Sequence, residues 1–150
     1  MKIAVSSDAH DPLVDFVLEE ARKRGHETVY YGPRSSESEA DWPEVTRQAA
    51  EDVAAGRADE GIVICWTGTG ASIAANKVAG IRAALCGDAE TARGARVWNH
   101  ANVLALSMRA TPLPIAGEIL ERWFDTPFSD DDWNKTQIER IAMLDSTRTD

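Results

Sequence analysis

The residues best suited to chemistry are Cys65, Thr67, Gly68 and Gly70, which follow a run of β-branched apolar residues. The thiolate form of a cysteine acts as a base or a nucleophile. The first backbone amides of a helix have no partner inside the helix, and with the helix dipole they favour an anion in front of it. A glycine-rich turn that opens a helix would therefore place a base beside a site for negative charge.

A purely structural role for these residues is the alternative. A cysteine at the end of a buried strand is most often a small apolar core residue, and glycines after a strand often serve only to turn the chain. The spacing does not fit two nucleotide-binding signatures. Ile73 stands where a dinucleotide fingerprint needs its third glycine, and no Gly-Lys-Ser/Thr follows.

Apolar runs alternate with helical patterns along the chain, and this alternation predicts where the glycine loop lies. We predict strands over residues 2–6, 27–31, 61–65, 81–86 and 102–106. We predict helices over residues 12–24, 42–55, 72–78, 89–98, 114–124 and 133–146. Five strand–helix repeats predict a doubly wound, Rossmann-like α/β fold, in which one five-stranded parallel sheet lies between two layers of helices.

Ligands of such folds bind at the carboxyl ends of the strands, where the strand order reverses. Asp8 and Arg109 follow predicted strands, and the segment from Cys65 to Gly70 begins at the end of another, so all are expected at that edge of the sheet. This common placement favours a functional role for Cys65. The acidic run before Trp133 is expected to be a solvated helix N-terminus, and Asp88 is expected to cap a helix.

Length and composition predict a single globular domain over residues 1–150, with 43% hydrophobic and 27% charged residues. The net charge of −9 argues against a nucleic-acid partner. The chain shows neither an apolar run long enough to span a membrane nor the apolar region of a signal peptide. We therefore expect a cytoplasmic protein whose two cysteines, Cys65 and Cys86, are reduced.

The chain resembles the type B ribose-5-phosphate isomerases and the related galactose-6-phosphate isomerase subunits in two segments, CWTGTGASIAANKVAGIRAALC (65–86) and NHANVLALSMR (99–109). Asp8 and Asp41-Trp42-Pro43 match more loosely, so the resemblance covers essentially the whole chain. It implies a homodimer or homotetramer with active sites shared between subunits. It also implies interconversion of an aldose and a ketose through an enediolate, on a sugar or sugar phosphate, with no metal or other cofactor.

The resemblance implies catalytic roles for two side chains. Cys65 is the base that moves a proton between C1 and C2, and Thr67 helps to move protons between the two oxygens. Other members carry a glutamate where this chain has Ala71, which places the chain in the cysteine subtype.

The resemblance also implies a set of substrate-binding residues. The loop amides form a cradle for the oxyanion, Asp8 and Asn99 hold sugar hydroxyls, and one arginine remains as a phosphate ligand. These residues are Asp8, Gly68, Gly70, Ala71, Ser72, Asn99 and Arg109.

Tryptophan replaces other residue types at several positions of the family pattern. Trp66 stands where the family has glycine, Trp98 where it has the ring-opening histidine, and Trp42 where it has tyrosine. Trp133 falls where the family has a basic phosphate-binding cluster. A flat indole suits the C–H face of a sugar and does nothing for a phosphate dianion. We therefore predict that Trp66 and Trp98 contact the substrate, whereas Trp42 and Trp133 are equally well explained as interface aromatics.

Two functional hypotheses follow. In the first, the proton-transfer groups are kept while the substrate has become an unphosphorylated or otherwise altered sugar, with His10 and His100 as candidates for the missing ring-opening acid. Either histidine could equally be an ordinary surface residue. In the second, the chain is a catalytically silent sugar- or anion-binding protein on the same scaffold. On the last helix, an apolar stripe of Ile138, Ile141, Ala142 and Leu144 predicts a contact with another subunit.

Overall fold

The computed structural model describes residues 1–147 and contains a five-stranded, all-parallel sheet. The strands are β1 (Lys2–Ser7), β2 (Glu27–Tyr31), β3 (Glu60–Cys65), β4 (Ala83–Leu85) and β5 (Val103–Ser107). The helices are α1 (Pro12–Lys23), α2 (Trp42–Ala54), α3 (Thr69–Ala75), α4 (Ala89–Asn99), α5 (Leu113–Asp125) and α6 (Asp132–Ser146). The Rossmann-like α/β fold predicted from the alternation is confirmed.

The strand order is β2-β1-β3-β5-β4, so the chain reverses its direction of travel across the sheet between β1 and β3. Ser7 pairs with Ile64 in this central ladder. The next residues, Asp8 and Cys65, therefore lie side by side at the carboxyl ends of β1 and β3. A reversal of strand order is where ligands bind in open parallel sheets.

The two faces of the sheet carry side chains of different size. Ile62 and Ile64 face a core of large apolar residues shared with α1, α4 and α5. Val63 and Cys65 face a thinner core, rich in alanine, shared with α2 and α3. Because successive residues of a strand point to opposite faces, Cys65 belongs to the thin layer. Small neighbours there let α2 and α3 approach the sheet closely.

Helix α3 differs from the prediction at both ends, since it spans Thr69–Ala75 and not residues 72–78. Gly68, in the left-handed region with φ of 73°, caps it and lets it begin directly after the turn. At the other end, the amides of Lys77 and Val78 donate to carbonyls three residues back, at 3.1 Å each. This tighter turn ends the α-helix before Val78.

Strand β4 is shorter than the predicted residues 81–86, and asparagine side chains bond the backbone where it begins. The Arg82 amide donates to Oδ1 of Asn102 at 2.8 Å, and the Ala83 amide donates to Oδ1 of Asn76 at 2.9 Å. Asn76 also donates through Nδ2 to the Ala83 carbonyl at 2.9 Å. Asn76 thus ties the end of α3 to the edge strand.

Two predicted helix starts are confirmed. The Asp88 side chain accepts from the Thr91 amide at 2.7 Å and caps α4. The acidic run precedes α6, where the Asp131 side chain accepts from the Asn134 amide at 2.9 Å.

Helix α6 lies on the outside of the molecule and buries none of its residues. Ile141 and Leu144 of the predicted apolar stripe are exposed, Leu144 by 62%. The helix contacts α4, and Asp145 accepts a hydrogen bond from the Gly80 amide at 2.8 Å. Within residues 1–147, no helix is both long enough and apolar enough to cross a membrane.

Candidate active site

A cleft of about 240 Å³, called here the Cys65 cleft, opens where β1 and β3 end. It is lined by Asp8, Trp42, Cys65, Trp66, Thr67, Thr69 and Gly70. Five of these residues were predicted from the sequence as site residues: Asp8, Cys65, Trp66, Thr67 and Gly70. The structure brings them together at the reversal of strand order, as a ligand site of this fold requires.

Hydrogen bonds from the loop after β5 hold the backbone around Cys65. The Cys65 carbonyl accepts from the Met108 amide at 3.0 Å. The Trp66 carbonyl accepts from the Arg109 amide at 2.9 Å and from the Ser107 hydroxyl at 2.9 Å. The thiol-bearing residue is only 6% exposed, so Cys65 is a fixed and largely buried group at the wall of an open cleft.

Gly68 occupies a position that only glycine fits. Its φ of 73° lies in the left-handed region, and a Cβ there would lie 2.5 Å from Cδ1 of Leu85. The same Cβ would lie 2.9 Å from the backbone carbon of Leu106. The turn between Cys65 and α3 is therefore packed tightly against β4 and β5.

The amides at the start of α3 are the predicted oxyanion cradle. The first four amides of a helix have no acceptor inside it, and here they belong to residues 68–71, which include Ala71. The Ser72 amide donates to the Gly68 carbonyl at 3.0 Å, so it already has an acceptor and does not bind the ligand. Ser72 can therefore contribute only its half-buried side chain.

Thr69 lines the Cys65 cleft but was not predicted from the sequence. Its hydroxyl lies 2.7 Å from the Thr67 hydroxyl, and either group can be the donor. Two bonded hydroxyls can pass a proton from one oxygen to another. The one sequence feature that points to Thr69 as a site residue is its position between two glycines at the start of a helix.

Asp8 carries a buried oxygen, Oδ1, without a hydrogen-bond partner among residues 1–147. Burial raises the pKa of this carboxyl, as does the nearby charge of Glu39, while backbone hydrogen bonds at Asp8 and Ala9 oppose the shift. Buried polar atoms normally have a partner. Asp8 is therefore suited to bind a hydroxyl group of a ligand.

Two indoles form walls of the Cys65 cleft. Trp42, the first residue of α2, packs on Gly70, where a Cβ would meet its ring at 3.2 Å. Trp66 is 61% exposed and stands at the rim. It also lines an adjoining hollow of about 300 Å³, called here the His10 recess. The recess is lined by Asp8, Ala9, His10, Asp11, Glu39, Ala40, Trp66 and Met108.

Trp98 and Asn99 do not join the Cys65 cleft of the same chain. They lie at the end of α4 and line a separate cleft of about 720 Å³ beside β4. Trp98 packs on Gly94, and the Arg93 guanidinium lies 5.3 Å from its ring centre. Arg109 is exposed, and although its amide bonds Trp66, it is not among the residues lining the Cys65 cleft.

The other candidates also lie elsewhere. His100 stacks on Phe128 at 4.6 Å and bonds Ser129 at 3.1 Å, and burial lowers its pKa. Trp133 is exposed on α6. The second cysteine, Cys86, lies in the core, and its burial raises its pKa to about 12. Among residues 1–147, no three His, Cys, Asp or Glu side chains are grouped as metal ligands.

Comparison with known proteins gives a consistent result. The family model described as Ribose/Galactose Isomerase matches residues 3–143. Ribose-5-phosphate isomerase B of Escherichia coli is 39% identical over 126 residues, which cover 84% of this chain and 83% of the relative. D-erythrulose-4-phosphate isomerase of Pectobacterium atrosepticum is 34% identical over 146 residues, covering 97% and 95%. The structure of Clostridium thermocellum ribose-5-phosphate isomerase B superposes with a TM-score of 0.93 at 39% identity, covering 99% and 100%.

Proposed function

The chain belongs to the ribose/galactose isomerase family, and from this premise we propose that it interconverts an aldose and a ketose with Cys65 as the base. Its curated relatives are named as isomerases of ribose 5-phosphate, galactose 6-phosphate and erythrulose 4-phosphate. The chain is accordingly a sugar-phosphate isomerase in the broad sense. Three further details are proposals: the identity of the base, the individual sugar, and the arrangement of the subunits.

The proposed reaction moves a proton from C2 to C1 of the same substrate molecule, so no atoms are gained or lost overall. Cys65 removes the proton from C2 of the aldose, the electrons move to the carbonyl oxygen, and an enediolate forms. The amides of residues 68–71 bind its negative oxygen. Thr67, bonded to Thr69, moves the hydroxyl proton between the two oxygens. Cys65 then returns its proton to C1, which gives the ketose.

The observation that carries this proposal is the meeting of a thiol, a hydroxyl pair and the start of α3 in one cleft. A silent sugar-binding protein would have little use for a fixed, buried thiol beside an open cleft. The isomerase is therefore the better supported of the two hypotheses.

The surroundings of the Cys65 cleft support a non-standard substrate. Trp66 presents an indole at the rim, and three acidic residues, Asp8, Asp11 and Glu39, are among those that line the adjoining His10 recess. Carboxylates repel a phosphate dianion. The part of the substrate that enters the recess is accordingly neutral. Any phosphate group of the substrate lies away from the recess. The proposed substrates also include unphosphorylated sugars.

We also propose that two copies of the chain share their active sites. Trp98 and Asn99 are exposed beside β4, and Ile141, Met143 and Leu144 of α6 are exposed in one copy. In a homodimer, the end of α4 of one copy would reach the Cys65 cleft of the other. Trp98 would then contact the sugar bound there, and Asn99 would hold its hydroxyls.

The experiment is a panel of free and phosphorylated aldoses, assayed for turnover and for uptake of solvent deuterium. Cys65→Ala is expected to lower kcat/KM by about 10³-fold, as loss of a general base does. Cys86→Ala, which removes a buried thiol outside the cleft, is the matched control and should leave kcat/KM unchanged.

The outcomes separate the hypotheses. Deuterium uptake that requires Cys65 supports the isomerase. Tight sugar binding without any uptake would instead identify a silent binding protein. Efficient use of ribose 5-phosphate alone would contradict the non-standard substrate while leaving Cys65 as the base.

A further inference from the structure

We propose that His10 is the acid–base group that opens a cyclic sugar before Cys65 acts on it, an inference that rests on the proposed function. Sugars that form rings hide the carbonyl group, and C2 loses its proton readily only after the ring has opened. Opening needs a group that can give a proton to the ring oxygen. His10 lines the recess next to the Cys65 cleft.

The position of His10 suits this step. The His10 recess and the Cys65 cleft share two lining residues, Asp8 and Trp66, so the two hollows adjoin. In the substrate, C1 closes the ring and is bonded directly to C2, which loses its proton. The ring-opening group must therefore lie beside the base without occupying the same space. The adjoining recess meets both conditions.

Asp15 orients the imidazole of His10. Its Oδ2 lies 3.1 Å from Nε2 of His10, and the histidine side chain is 30% exposed. A carboxylate bonded to one ring nitrogen favours the tautomer that carries the proton on that nitrogen. The other ring nitrogen then remains available for proton transfer to the substrate. Among residues 1–147, no hydrogen bond uses Nδ1 of His10. Histidine acid–base groups are commonly oriented by a third group in this way.

The other two histidines are placed differently. His26 precedes β2 and packs against Phe124 with ring centres 4.7 Å apart. His100 stacks on Phe128 and bonds Ser129. Neither is among the residues that line the Cys65 cleft or the His10 recess. Of the three histidines in the chain, His10 is the one that lies next to the Cys65 cleft.

The ring-opening step balances. The protonated imidazole of His10 gives its proton to the ring oxygen as the bond between C1 and that oxygen breaks. The anomeric hydroxyl releases its proton to solvent, and the C1 carbonyl forms. His10 regains a proton from solvent before the next turnover.

The test compares a sugar that forms a ring with one that cannot form the usual ring. D-ribose 5-phosphate closes to a furanose, whereas D-erythrose 4-phosphate cannot, because its 4-hydroxyl is esterified. His10→Ala is expected to lower kcat/KM for D-ribose 5-phosphate by about 10²-fold, in the range of general acid catalysis. The same variant should leave kcat/KM for D-erythrose 4-phosphate unchanged.

Two further variants separate this role from a structural one. Asp15→Asn removes the orienting charge and should lower turnover of D-ribose 5-phosphate alone, by less than His10→Ala. His26→Ala removes a histidine outside both hollows and should change neither rate. A general folding defect would lower both rates together.

The results also separate the failure of this inference from the failure of the proposed function. If Cys65→Ala abolishes turnover but His10→Ala affects both sugars equally, or neither, the isomerase stands and the role of His10 is wrong. If the wild-type protein turns over neither of these sugars, nor any other free or phosphorylated aldose of the panel, in a way that depends on Cys65, the proposed function and the role of His10 fail together.

Discussion

Gly68 shows at the scale of one residue how backbone geometry controls the site. Its left-handed φ and its closeness to Leu85 and Leu106 leave no room for a side chain. The turn it forms joins the thiol to the amides of α3. A shift of this turn would move the proposed base, Cys65, relative to the proposed oxyanion cradle.

We predict that Gly68→Ala costs about 3 kcal/mol of unfolding free energy, from the left-handed backbone and the clash together. It should also lower kcat/KM by about 10²-fold, since a shift of the loop misplaces the reacting groups. Urea unfolding and initial rates measure the two effects.

Gly25→Ala is the control for this substitution. Gly25 has a φ of 80°, but a Cβ there meets nothing within 4 Å. It should cost about 1 kcal/mol, from the backbone alone, with kcat/KM intact. Equal losses of stability in the two variants would show that the packing around Gly68 does not matter.

Part of the site is predictable from the sequence at this scale, and part is not. Asp8 and Cys65 were placed correctly because strand ends of a parallel sheet share one edge, which requires no knowledge of the strand order. Thr69 was missed because its role depends on a hydroxyl contact with Thr67 that spacing does not reveal.

At the scale of elements, the existence and type of every strand and helix followed from periodicity, but the bounds of α3 and β4 did not. The strand predictions depend on the pattern of apolar residues, and residues 81–86 are apolar enough to predict a strand over their whole length. The strand in the structure spans Ala83–Leu85, and the amide of Arg82 just before it donates to the side chain of Asn102. Asn102 lies 20 residues from Arg82 in the sequence, so this bond leaves no local apolar pattern.

A buried ion pair joins three elements. Arg96 of α4 donates to Glu60 of β3 at 2.6 Å, and the indole of Trp123 in α5 donates to the same carboxylate at 2.7 Å. Arg96 also donates to the Ala101 carbonyl at 2.6 Å. Burial raises the pKa of Glu60, and Arg96 opposes that shift. The pair fixes α4, the helix that carries Trp98 near its end.

We predict that Arg96→Met lowers the unfolding free energy by about 3 kcal/mol, because it leaves the Glu60 carboxylate buried without its cation. Arg93→Met, which breaks an exposed pair with Glu90 on the same helix, should cost less than about 1 kcal/mol. Urea titration of the two variants measures the difference, and similar losses would contradict a stabilising role for the buried pair.

At the scale of the whole molecule, the strand order decides which predicted residues meet. β4 lies two positions away from β3, so the helix that follows it carries Trp98 and Asn99 away from the Cys65 cleft. Pairing order is set by long-range packing, which local periodicity does not contain. The sequence therefore predicted these residues as part of one site but could not reveal their separation within one chain.

A mixing experiment tests whether two copies complete the site. Cys65→Ala and Asn99→Ala should each be nearly inactive alone. In mixed dimers, the intact Cys65 of one chain would meet the intact Asn99 of the other. Activity should then recover to about a quarter of the wild-type value, since half of the dimers are mixed and each has one intact site. No recovery after verified subunit exchange would contradict shared sites.

The backbone at Trp66 has a consequence for redesign of the protein. Ser107 and Arg109 hold this residue through its carbonyl oxygen, and its indole extends to the rim with little support from its own packing. The side chain can therefore be exchanged while the neighbouring thiol keeps its place. A small library at this one position is a direct route to variants with new sugar preferences and an unaltered proton-transfer step.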